Sequence, residues 1–103
     1  MTIIRGATTI AVDCKEEIVA SVQELLDEIF RMNVLKKEEI KGLLFSLTSD
    51  IHSYHPAKAA RECGYDFAPL FAAVEPDIDG SLPLCIRLMA FTDLTSDRTI
   101  RHI

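Results

Sequence analysis

Residues 84–91 set the strongest constraint on how this chain can fold. Seven of these eight residues are apolar, no Gly or Pro interrupts them, and a turn-rich run bounded by Pro76 and Pro83 comes before. A short apolar run of this kind reads as a β-strand. Alternation puts Leu84, Ile86, Leu88 and Ala90 on one face, and Cys85, Arg87, Met89 and Phe91 on the other. Both faces are apolar, so the strand is expected to be covered on both sides, yet Arg87 stands in its middle. A guanidinium keeps its charge in any protein setting, and burying one without an anionic partner is costly. Three outcomes stay open: an internal pair with a carboxylate, a side chain reaching water along the sheet edge, or an anionic ligand.

The 103 residues suffice for a single domain with one core. With 11 basic against 16 acidic residues, a net −5, the chain lacks the basic face that nucleic-acid binding needs. A few converging arginines can still dominate a local pocket for a small anion. No apolar run approaches the ~20 residues that span a bilayer, and the first residues lack a signal-peptide pattern. Cys14, Cys63 and Cys85 are odd in number and widely spaced, which fits a reduced, cytoplasmic protein.

From the N-terminus, Ile3, Ile4, Thr8, Thr9 and Ile10 give residues 2–10 strand character. Arg5 is a second lone arginine in an apolar setting, followed by Gly6 and Ala7, small enough for backbone or ligand to come close. Asp13 and Glu16 read as a capping-box pair opening a helix. Ile18, Val19, Val22, Leu25, Leu26, Ile29 and Phe30 form its apolar stripe, with Asn33 as its stop. After the charged turn 36–39 comes a strand at 43–48, and the pair of strands around one helix predicts a βαβ unit. Pro56 and Gly64 delimit a two-turn helix carrying Lys58 and Arg61 on one face. His52 and His55 lack a third ligand at fixed spacing, so no metal site is expected. Residues 67–74 read as a strand that Pro69 confines to an edge or an early position, closed by the acid Glu75. A turn at 77–80 leads to the Arg87 strand, after which 92–97 reads as a loop and 98–103 as the chain's end. The expected class is α+β, in the order β-α-β-α-β-β. No Ser-His-Asp set, phosphate loop or C-x-x-C appears. Arginines plus one acid suit an anion that is held and polarised rather than attacked.

Four segments together resemble one family. They are the opening Ile4, Arg5, Gly6, Ala7, Thr8, Thr9; the helix from Pro56 through Lys58 and Arg61 to Glu62; Glu75 with the Arg87 strand; and Ile100, Arg101, His102. The chain is similar, from Thr2 to Ile103, to the monofunctional chorismate mutases of the Bacillus type. That resemblance implies a mixed sheet with helices, a pseudo-α/β-barrel homotrimer with sites between subunits, and an isomerase that rearranges chorismate to prephenate without a cofactor on the way to phenylalanine and tyrosine. It also implies roles. Arg5 would bind a substrate carboxylate, Arg87 the ether oxygen, and Glu75 the ring hydroxyl. Arg61 and Lys58 would line the mouth, and His55, Ala57, Leu70, Phe71 and Ala72 would contact substrate. The sequence departs from the family at His55, usually aromatic, and at Phe71 and Ala72, usually a smaller polar residue and a cysteine. The family's tyrosine after the I-R-H segment would fall past Ile103, so a C-terminal tail is expected to be missing. The alternative of comparable fold is a non-catalytic trimeric module binding a small carboxylate.

Overall fold

The computed structural model describes residues 1–94 and 100–103. The loop expected at 92–97 and the start of the closing segment at 98 fall mainly on 95–99, outside the described residues. The elements run β1 (Thr2–Thr9), α1 (Lys15–Asn33), a 3₁₀ turn (Lys37–Glu39), β2 (Ile40–Leu47), α2 (Pro56–Glu62), β3 (Leu70–Val74) and β4 (Cys85–Thr92). This is the expected order.

The four strands form one sheet, β1-β4-β2-β3, in which β4 is antiparallel to both β1 and β2, and β3 is parallel to β2. The unit predicted from β1, α1 and β2 is therefore split, because β4 inserts between its two strands. The adjacent parallel pair is instead β2 and β3, joined through α2. Pro69 precedes β3, which starts at Leu70 rather than 67 and lies at a sheet edge. There its missing N–H interrupts no ladder.

The stripe of α1 packs as its spacing requires: Ile18, Val22, Leu26 and Ile29 are fully buried, with Ile4, Phe45, Ile86 and Leu88 of the sheet beneath them. Gly6 marks the closest approach, since a Cβ there would lie 2.8 Å from Ile29 Cδ1 and 2.9 Å from Leu25 Cδ1. The missing side chain thus makes room for the helix. The helix opens one residue later than Asp13 suggests. Cys14 is its N-cap, without a side-chain bond. The Asp13 carboxylate instead accepts the backbone N–H groups of His52 (2.9 Å) and Ser53 (3.1 Å). Competition for two loop donors outweighed the local cap. In α2, Pro56 occupies the first turn and His55 is the N-cap, its ring Nδ1 accepting the Ala57 N–H at 3.1 Å.

Helices cover one face only. On the other side of the sheet Ile3 and Met89 are each 36% exposed and Phe71 65%. The two-sided cover expected for β4 is absent among the described residues, because both helices pack against the Ile86 and Leu88 side. No helix among the described residues is long and apolar enough to cross a membrane.

Candidate active site

The open face gathers the isolated charges. Arg5 pairs across the sheet with Met89, and Arg87 with both Ala7 and Ser46. The two arginines are thus diagonal neighbours on one surface, about 7–8 Å apart in such a register. Glu75 continues the same face beyond Phe71 and Ala73, held by its own N–H to the Leu47 carbonyl at 2.8 Å. Its Oε2 accepts the Ser46 hydroxyl at 2.6 Å, and its Oε1 accepts Arg87 Nη1.

Arg87 therefore meets an acid of its own chain, one of the outcomes the sequence left open. The pair does not exhaust it. Its side chain is 47% exposed while that of Glu75 is 17% exposed, and Glu75 is its one hydrogen-bonding partner among the described residues. A planar guanidinium has five N–H donors in a fixed fork. Glu75, itself steered by Ser46, aims that fork and leaves most of it available. The Arg5 guanidinium has no partner among the described residues, although its backbone is bound on both sides: Arg5 N–H donates to His102 Nδ1 at 2.9 Å, and the Ile103 N–H donates to the Arg5 carbonyl at 3.0 Å. Arg5, Ala7, Leu44, Ser46, Arg87, Met89, His102 and Ile103 line a cavity of about 410 Å³.

The remaining expected residues converge elsewhere. His55, Ala57, Lys58, Arg61, Leu70, Phe71 and Ala72 line a second groove of about 360 Å³ between α2 and β3. It shares no residue with the first cavity. Lys58 Nζ stands 5.4 Å and Lys15 Nζ 5.0 Å from the centre of the Tyr54 ring. The Tyr54 hydroxyl donates to Glu62. The expected residues thus fall into two halves, Arg5 and Arg87 with Glu75 bonded to Arg87, and Lys58 with Arg61.

Neither half is built for covalent chemistry. The Cys85 thiol, two residues from Arg87, is fully buried. Burial raises its pKa, with the Arg87 charge pulling weakly the other way, so thiolate is scarce near neutrality. Among the described residues no His, Cys, Asp and Glu group is arranged to hold a metal ion. What both halves offer is positive charge on rigid elements. Sequence reasoning missed Ser46, which looked like an ordinary strand residue, and Tyr54. It noticed His102 only as part of a motif, since nothing local says that 100–103 returns to β1.

Comparisons with known proteins agree along the whole chain. The family described as chorismate mutase type I matches residues 1–103. The chain is 42% identical over 103 residues to "Chorismate mutase AroH" of Bacillus subtilis, a match covering 97% of this chain and 80% of that one. Against "Chorismate mutase AroH" of Thermus thermophilus the identity is 40%, covering 97% and 84%. The solved "Chorismate mutase from Clostridium thermocellum" superposes with a TM-score of 0.91 at 38% identity, covering 99% of this chain and 92% of that one.

Proposed function

The chain belongs to the chorismate mutase type I family and is an isomerase acting on chorismate, and from that premise we infer how its two half-sites complete one active site. The reaction is unimolecular, so it gives a nucleophile nothing to attack. Its barrier falls by holding the compact reactive conformer and by placing cationic donors where charge grows. A million-fold acceleration needs ~8 kcal/mol. One preorganised donor supplies ~3–4 kcal/mol of that, and conformational restriction a similar share.

In this reading Arg87, aimed by Glu75, donates to the ether oxygen as the C–O bond breaks, and Arg5 holds a carboxylate. Glu75 has lone pairs left to accept the ring hydroxyl. Lys58 and Arg61 of a neighbouring copy close the mouth over the second carboxylate, with His55, Ala57, Leu70, Phe71 and Ala72 along the ring. The observation that carries this assembly is the separation itself: one chain holds both sets of cations, in two cavities with no residue in common. The exposed apolar side chains of Ile3, Phe71 and Met89 on the open face supply a surface for neighbours, and a homotrimer closes the arrangement by symmetry. The three separated free cysteines support a cytoplasmic setting. Membership of this family sets aside the non-catalytic alternative.

Mixing two inactive variants tests the shared site. Arg87→Ala and Arg61→Ala proteins, each slow alone, are co-refolded, chorismate absorbance is followed and prephenate is identified. Recovery of turnover in the mixture, with a trimer in sedimentation, is expected, because some interfaces then join a native Arg87 to a native Arg61. No recovery, or a stable monomer with full native turnover, would defeat the assembly.

A further inference from the structure

Asn33, the last residue of α1, is a buried polar side chain at 4% exposure. Its amide is used on both sides. Nδ2 donates to the carbonyls of Ile29 (3.0 Å) and Arg101 (2.9 Å), and Oδ1 accepts the Arg101 N–H at 2.7 Å. Bonding both backbone groups of one residue is what a neighbouring strand would do, so Asn33 stands in for a strand at the helix end. The next two residues turn to β1: His102 Nδ1 accepts the Arg5 N–H, and the Ile103 N–H reaches the Arg5 carbonyl. β1 is a sheet edge, and at Arg5 both backbone groups point away from β4. The closing segment is what satisfies them. His102 and Ile103 also form a wall of the cavity that holds Arg5 and Arg87.

We propose that Asn33 and His102 are positioning residues, a two-point latch that seats residues 100–103 along β1 so that Arg5 is held where it meets a substrate carboxylate. The proposal rests on the reading of that cavity as the chorismate site. Its chemistry is specific. Asn33 must accept and donate at once, which neither Ala nor a carboxylate can do. His102 accepts through its ring Nδ1. An Asn at 102 offers an oxygen at nearly the same place, whereas Ala offers none.

The test combines steady-state kinetics on chorismate with amide hydrogen exchange at Arg5 and Ile103, in the native protein and in the Asn33→Ala, His102→Ala and His102→Asn variants. Expected are a KM about tenfold higher in the two Ala variants with kcat within about twofold, and faster exchange at both amides. His102→Asn should recover most of the lost affinity. If Asn33→Ala does not fold, the exposed position 102 decides the matter by itself. Faster exchange with an unchanged KM in a protein that turns chorismate over makes the segment a mere edge cover and overturns the latch. Unchanged exchange overturns it as well. Protected amides in a native protein that leaves chorismate untouched would instead overturn the reading of the site, and the latch's functional half with it.

Discussion

The two faces of this sheet are made from the same strands and do opposite things. On the helix side Ile4, Phe45 and Ile86 are at 0% exposure and Leu88 at 1%. On the other side, one residue along, stand Arg5, Ser46 and Arg87, with Met89 at 36%. Ile86, Arg87 and Leu88 are consecutive, so the switch from core to chemistry takes a single peptide bond. The lesson is physical. A period of two lets one strand satisfy the hydrophobic requirement with half its residues and present rigidly aligned charges with the rest. The covered face is complete within one chain. The open face keeps Ile3, Phe71 and Met89 exposed beside Arg5, whose guanidinium has no partner among the described residues, and Arg87, which meets Glu75.

Substitutions on adjacent positions break that comparison if it is wrong. Phe45→Ala should have the largest effect, a loss of about 3–5 kcal/mol in denaturant unfolding, because a fully buried ring leaves a cavity under α1. The folded fraction should keep its native kcat. Arg87→Ala should do the reverse. On the role proposed for it, losing this donor costs about 100-fold in kcat, ~2.7 kcal/mol of barrier. The unfolding midpoint should move far less, since the lost ion pair is half-exposed. An Arg87→Ala protein as destabilised as Phe45→Ala would mean that the guanidinium belongs to the fold rather than to the site.

Much of this division was legible beforehand, and the parts that were not share a cause. The stripe from Ile18 to Ile29 announced its helix because one face had to be buried, and Arg87 announced a need for an anion because nothing in its strand could neutralise it, a need that Glu75 meets in part. Alternation tells which residues share a face but not what covers that face, so β4 was expected to be buried on both sides. Strand order is likewise nonlocal: nothing in the residues of β1 or β2 says that β4 will separate them. Asp13 looked like a helix cap because the loop that competes for it lies some forty residues later. The grouping of Lys58 and Arg61 away from Arg87 needed the sheet order, which alone puts α2 at the far edge beside β3.

That same Asp13 gives the smallest effect, and it distinguishes the groove end of the molecule from the sheet. Its carboxylate holds His52 and Ser53, and the Ser53 hydroxyl returns a bond to the Asp13 carbonyl at 2.8 Å, so the start of α1 is tied to the loop that leads into α2. The His52 N–H is the main reason its pKa lies below the ordinary 3.8, with partial burial opposing. A depressed folded value means that the carboxylate stabilises the fold above the unfolded value, and that this contribution fades as pH falls through the folded one. Asp50, held chiefly by the Thr48 hydroxyl and also by the Leu84 N–H, titrates in the same direction and stays in place as a background. Melting of native and Asp13→Asn proteins should therefore differ by about 1–2 °C at pH 6, and the curves should converge as pH falls through the folded value. Arg87 and Glu75, on the sheet, are untouched by this change, so kcat at pH 7 should hold. Melting curves that run parallel from pH 6 to pH 2 would show that the loop before α2 is held by something other than this carboxylate.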